Sequence, residues 1–184
     1  AEQIRHWPIK RGRLIVVPSV NRPGLAKGIR YLPDEPPARR DLNRNFPKTG
    51  SDEPTRGELA QALWALLKKE KPAWLIDLHE GYDFHQLNSK SVGSSIIDTH
   101  DKAAGKVVPM MLRVVNKGIT EPKKKLVRLR YPVDGSLARA AHERLQASAM
   151  ILETTSKEQP LSKRVRQHRT MVHALLKHLG MAAG

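Results

Sequence analysis

The sequence predicts an α/β fold, a sheet with helices on its faces, and three observations predict it. Apolar runs of strand length end in polar residues, amphipathic helical periods lie between them, and the last third reads helix, strand, helix in direct succession. The 184 residues match one globular domain rather than two, so a single domain over residues 1–184 is expected.

Residues 1–7 read as the end of a helix already under way, and the sequence begins without Met, so the expectation is that the N-terminal part of the fold lies upstream. Residues 13–18 carry Leu14-Ile15-Val16-Val17 between polar flanks and stop at Pro18, the pattern of a buried strand. Residues 19–56 are rich in Pro, Gly, Asn, Asp and Arg and lack periodicity; a stretch that long without structure of its own is usually functional or disordered. Residues 57–69 turn helical, with Leu59, Leu63, Leu66 and Leu67 recurring on one face. Residues 73–79, Ala-Trp-Leu-Ile-Asp-Leu-His, are an apolar run with a polar end, as in a buried strand that opens onto a site. Residues 96–117 mix a helix with short irregular pieces. Residues 135–145 read as a helix and 149–153 as a buried strand ending in Glu153. Residues 160–179 read as a long helix whose apolar stripe is Val165, Val172, Leu175, Leu176 and Leu179, with Pro160 in its first turn and Gly180 as its stop.

Composition narrows the chemistry. Without cysteine there is neither a disulfide framework nor a Cys-based zinc site, so any metal rests on His, Asp or Glu. The formal charge of +15, from 33 Lys and Arg against 18 Asp and Glu, invites a nucleic-acid reading. Against it, the basic residues are scattered and only 4% of residues are aromatic, too few for a stacking platform. A solvated basic surface, or one that attracts anionic substrates or cell-surface polymers, accounts for the charge. No run approaches the roughly 18 apolar residues of a membrane span, so a soluble chain is expected, in cytoplasm or periplasm alike.

Three strand ends deliver unusual polar groups, and in an open α/β sheet the ligand site lies beyond the carboxyl ends of the strands. Asp77 and His79 stand two apart on one strand and so project to the same face, which lets the carboxylate orient the imidazole as a metal ligand. A strand-end His held for structural reasons is the blander reading. Glu153 ends an apolar run, where partial desolvation raises a carboxyl pKa towards the range of a general base; an ion pair with a nearby Arg is its plain alternative. The segment Asp41-Leu42-Asn43-Arg44-Asn45-Phe46-Pro47 places a guanidinium fork beside amide side chains, the equipment for holding a carboxylate bidentately. Arg30 lies upstream in the same loop.

The order Asn21-x8-Arg30, Asp-Leu-Asn-Arg-Asn-Phe-Pro at 41–47, Ile-Asp-Leu-His-Glu-Gly at 76–81, Ile-Leu-Glu-Thr-Thr at 151–155 and a basic terminal helix resembles the succinylglutamate desuccinylase and aspartoacylase family, within the wider group of zinc carboxypeptidases. The resemblance implies a three-layer mixed sheet with helices on both faces, lacking its N-terminal part. It implies that His79 is the third ligand of a Zn2+ ion, Glu153 the general base that activates the metal-bound water, and Arg30 the arginine that stabilises the oxyanion. It implies that Asn43 and Arg44 bind the substrate carboxylate, and it matches Tyr131 to the mobile tyrosine of the carboxypeptidase branch, where a ring buried beside Pro132 is the alternative. In the family the first two zinc ligands come from a His-x-x-Glu, and no histidine of this sequence has a glutamate at the third following position. Two ligands are therefore expected upstream of residue 1. Glu80, next to His79, should point to the other face and cannot replace them.

The activity expected is zinc-dependent hydrolysis of an amide bond beside a carboxylate-bearing residue, in an N-acyl amino acid or a peptide C-terminus. The competing reading is a non-catalytic module of the same fold that binds carboxylated or other anionic ligands, and bound metal separates the two. A nucleic-acid-binding domain would instead show affinity that falls steeply with salt.

Overall fold

The computed structural model describes residues 1–182. After an irregular N-terminal stretch come α1 (Arg22–Ala26), a 3₁₀ turn (Leu42–Arg44), α2 (Glu58–Glu70), β1 (Trp74–Gly81), β2 (Ser95–Asp98), α3 (Lys102–Asn116), β3 (Val127–Leu129), α4 (Leu137–Leu145), β4 (Ser148–Thr155) and α5 (Leu161–His178). The strands form one sheet in the order β1-β4-β2-β3. β1 and β4 run parallel, β2 runs antiparallel to β4, and β3 runs parallel to β2, so the sheet is mixed.

Alternation along the strands sorts the core into two faces. Ile96 of β2 and Met150 and Leu152 of β4 meet the apolar stripes of α3 and α5: Val107, Val108 and Met111 from one helix, Met171, Val172 and Leu175 from the other. Ile97, Ala149 and Ile151 point the opposite way, towards Ala138 of α4, and α2 joins that layer through Leu67 beside Ala141. The result is a three-layer α/β sheet with helices on both faces, as expected. Three helix boundaries have a local cause. Asp101 caps α3 by accepting from the amides of Ala103 and Ala104, Ser136 caps α4 by accepting from Arg139, and Gly180 with φ 68° stops α5.

Three expectations are corrected. Residues 13–18 are not a strand: Leu14 and Val16 lean on the core, but Ile15 and Val17 stay 45% and 43% exposed, and no described strand lies alongside to share a ladder. An apolar run becomes a strand only when a partner takes its amides and carbonyls. Residues 1–7 form turns rather than a helix, with the amides of Ile4 and Arg5 both directed to the carbonyl of Ala1. Residues 96–117, expected to mix a helix with short irregular pieces, form β2 followed by an unbroken α3, and β3 is a strand that no expectation covers. The long loop 19–56 is held by side chains: Asn21 accepts from the Gly24 amide to cap α1 and donates back to the carbonyls of Arg30 and Tyr31.

Candidate active site

Because β1 and β4 are parallel neighbours with His79 opposite Glu153 in register, the two side chains stand side by side on one face at the carboxyl ends of their strands. The imidazole Nδ1 lies 4.0 Å from Glu153 Oε1. On the other side, Nε2 donates to Asp77 Oδ2 at 2.9 Å, the same-face partner two residues back. Asp77 therefore fixes the ring and leaves Nδ1 free to serve as a ligand. Glu153 is 4% exposed, and its Oε2 is buried without a hydrogen-bond partner.

Burial and charge shape both groups. Burial pushes the Glu153 carboxyl up to about 7, with the Asp77 carboxylate adding to the rise while the positive charges of His79 and Arg30 oppose it. For His79 burial acts downward, yet the charge and hydrogen bond of Asp77 and the charge of Glu153 outweigh it and raise the imidazole to about 9. A carboxyl poised near neutrality is the state a general base needs.

The clamp segment is built by backbone locks. Phe46 donates its amide to the Gly135 carbonyl, and the Leu137 amide donates to Asn43 Oδ1 at 2.8 Å, which fastens the 3₁₀ turn to the start of α4. Gly135 has φ 77°, and a Cβ there would sit 2.9 Å from the Arg44 carbonyl oxygen, so only glycine fits without displacing the turn. With Oδ1 engaged, the Asn43 side-chain nitrogen makes no hydrogen bond among the described residues. The Arg44 guanidinium donates to the Asn43 carbonyl at 2.6 Å. Asp41 accepts from the Asn43 backbone N–H and from Arg30, 3.0 Å from Nη2, so it ties Arg30 to the 3₁₀ turn. The Arg30 charge in turn acts on both His79 and Glu153.

Tyr131 is not brought to this group. Its ring meets His142 edge-on at 6.4 Å and lies under the Arg139 guanidinium at 5.0 Å, both on α4. His142 binds the carbonyl of Ala147, beside the first residue of β4, whereas Glu153 lies near that strand's other end. The substrate-binding role drawn for Tyr131 from the resemblance finds no partner in this arrangement.

A second polar group went unread in the sequence. Glu80 and Thr154, the residues that follow His79 and Glu153, are register partners on the opposite face. Arg164 binds both Glu80 oxygens, and Thr154 joins Glu80 to His168 Nε2, 3.1 Å away. Burial depresses the His168 imidazole to about 4. The expectation that Glu80 points away from His79 agrees with these contacts, but the partners on α5 left no sequence signal beyond isolated polar residues in an apolar stripe.

Zinc in catalytic sites takes three protein ligands and a water. The free Nδ1 of His79, the Asp77 carboxylate behind it and the unpartnered Glu153 Oε2 fit one ligand, its orienting group and an adjacent base. Among the described residues no group of three or more His, Asp or Glu can hold a metal, so they do not complete such a site.

The fold and this grouping define a mixed α/β domain with a polar site at the carboxyl ends of two parallel strands. Residues 1–179 match the succinylglutamate desuccinylase/aspartoacylase catalytic domain, and the chain belongs to that family. Among solved structures it is similar to the cell shape determinant protein Csd4 of Helicobacter pylori. Against the product-bound form, identity is 21% and the TM-score 0.75, over 97% of this chain and 46% of that one. Against the mDAP-bound form, described as a D,L-carboxypeptidase, identity is 21% and the TM-score 0.73, over 94% and 44%. The chain thus spans less than half the length of these relatives, and at that identity the likeness concerns the fold. No curated protein matches the sequence.

Proposed function

We propose that this chain provides the carboxylate clamp, the oxyanion-stabilising arginine, one metal ligand and the general base of a zinc-dependent hydrolase. The bond cleaved is an amide beside a carboxylate-bearing residue, in an N-acyl amino acid or a peptide C-terminus. The observation that carries this reading is the pairing of His79 with Glu153 across adjacent parallel strands, with one imidazole nitrogen committed to Asp77 and the other free. The family named for desuccinylases and aspartoacylases supports it. The Helicobacter pylori protein is solved with mDAP and with a tripeptide bound, and a small carboxylated substrate is the corresponding proposal here.

Asn43 and Arg44 hold the substrate carboxylate through charge-assisted hydrogen bonds, and that grip sets the scissile amide over the strand ends. Arg30 faces the oxygen that gains negative charge as the carbonyl is attacked. Glu153 takes the proton of the attacking water and passes it to the leaving nitrogen, a cycle suited to a carboxyl near neutrality. His79 Nδ1 would hold the zinc ion, which when bound supplies Lewis acidity and a more acidic water. The non-catalytic reading is less well supported, because a module that only bound carboxylates would not need a buried, unpartnered Glu153 beside the free imidazole nitrogen.

In zinc-loaded protein with the full ligand set, Glu153→Gln is expected to keep metal and substrate affinity while kcat falls about 10²–10⁴-fold. Near wild-type turnover would remove Glu153 from the mechanism. Residues 1–184 alone, with His79 as the single well-placed ligand, are expected to hold no stoichiometric zinc against a mild chelator. Tight one-to-one zinc in that chain, measured by elemental analysis, would show that the ligand assignment is incomplete.

A further inference from the structure

The face of the sheet that lies opposite His79 and Glu153 is covered by α3 and α5, which pack on each other. Neither helix contains an acidic residue. On α3, Lys102, Lys106, Arg113 and its C-cap Lys117 follow one another at steps of four, seven and four, a single line on the side away from the buried Ala104, Val108 and Met111. On α5, Lys163, Arg166, Arg169 and Lys177 make a second line, with His173 between the last two. All eight Lys and Arg are exposed. Arg169 lies over the Trp7 ring at 5.7 Å without being covered by it.

What marks this surface is that its cations stand in two neighbouring rows with no acidic residue between them on either helix. Elsewhere several arginines are paired with carboxylates: Arg30 with Asp41, Arg39 with Glu35, Arg128 with Asp98, Arg139 with Glu143. Among the described residues, none of the eight on α3 and α5 makes an ion pair. The acidic residues that flank the two helices are already committed, Asp101 to the α3 cap and Glu121 and Glu158 to Lys124. Each row runs roughly 20 Å at 1.5 Å per residue, and packed helices set the rows about 8–10 Å apart. The cations therefore form a two-dimensional array.

We propose that the α3–α5 face docks this protein on an anionic lipid bilayer, with the His79–Glu153 site turned towards the aqueous side. A planar array of Lys and Arg on two helices lying flat matches a planar array of anionic headgroups, where each cation near the surface adds to the attraction. A nucleic acid fits less well: the rows hold no Phe, Tyr or Trp for stacking, and neither helix projects from the face to enter a groove. No helix is long and apolar enough to cross a membrane, so the contact is peripheral and electrostatic.

The test is co-sedimentation of residues 1–184 with vesicles of phosphatidylglycerol and phosphatidylcholine, and with vesicles of phosphatidylcholine alone. Binding is expected only to the former, and is expected to be lost near 0.5 M salt, where the screening length is only about 4 Å. A variant with Lys102, Lys106, Arg113 and Lys177 changed to Gln is expected to lose about 100-fold or more in partition, at roughly fivefold per cation. A control with Arg22, Lys27, Lys68 and Lys69 changed to Gln has the same net charge and is expected to lose less than about tenfold. Circular dichroism confirms that both variants, altered only at exposed positions, are folded. Equal losses in the two variants would reduce the effect to net charge and overturn the proposal. So would absence of binding to the anionic vesicles, or displacement from them by a short duplex RNA at stoichiometric concentration.

Discussion

At the scale of single residues, His79, Asn43, Arg30 and Arg44 are each tied to one partner, while the Glu153 Oε2 has none. Arg44 donates to a neighbouring carbonyl through one nitrogen, and the rest of its fork makes no hydrogen bond among the described residues. Arg44→Ala is expected to raise KM for a carboxylated substrate about tenfold or more with little change in thermal midpoint, since a charge-assisted hydrogen bond contributes roughly 1.5–3 kcal/mol. An unchanged KM and kcat/KM would remove the clamp. His79 yields a prediction for the metal-free chain. Its folded pKa, about 9, lies above the ordinary imidazole value of 6.5, so the stability it contributes is full below 6.5 and is lost as pH rises through 9. Glu153, raised from 4.5 to about 7, acts in the same direction at lower pH. Unfolding free energy should therefore decline between pH 6.5 and 9 by at most roughly 1.4 kcal/mol per unit from His79, and Asp77→Asn should flatten the decline. A slope of the same size in both proteins would count against the ion pair. Asp77, His79 and Glu153 were legible in the sequence because strand alternation is a local rule. The displacement of Tyr131 was not, because no local rule says which end of α4 its loop will meet.

At the scale of elements, β1 and β4 are held together from behind as well as through their ladder. Thr154 is fully buried and links Glu80 of β1 to His168 of α5. Thr154→Val preserves shape but strands the His168 nitrogen, at an expected cost of about 1–3 kcal/mol measured by denaturant unfolding. A neutral result would mean that water satisfies that nitrogen. The clamp turn has its own lock in Gly135, whose positive φ and close approach to Arg44 exclude a side chain. Gly135→Ala is expected to destabilise by about 1 kcal/mol or more and to weaken carboxylate binding, because the turn must shift. Wild-type affinity in that variant would uncouple the lock from the clamp.

At the scale of the whole molecule, one sheet divides two kinds of surface. The α2–α4 side carries the catalytic candidates, while the α3–α5 side carries the large apolar cluster beneath two rows of cations that make no ion pair among the described residues. Leu152 is wholly buried in that cluster, and Leu152→Ala is expected to cost about 2–5 kcal/mol in a single cooperative transition. A loss below about 1 kcal/mol would mean that the cluster closes around the gap or is not the stabilising core.

The sequence by itself determined the class of fold, the helices α2, α4 and α5 with the strands β1 and β4, and the residues that could do chemistry, because period and side-chain direction are set within a few residues. Only the tertiary structure decided which extended runs are strands. β2 and β3 are short, and they count as strands because neighbours bind them, whereas the more apolar residues 13–18 have no described neighbour and stay outside the sheet. The register that sets His79 against Glu153 was likewise decided there, since β1 and β4 are separated by most of the chain's second half and only pairing across that distance brings the two side chains together.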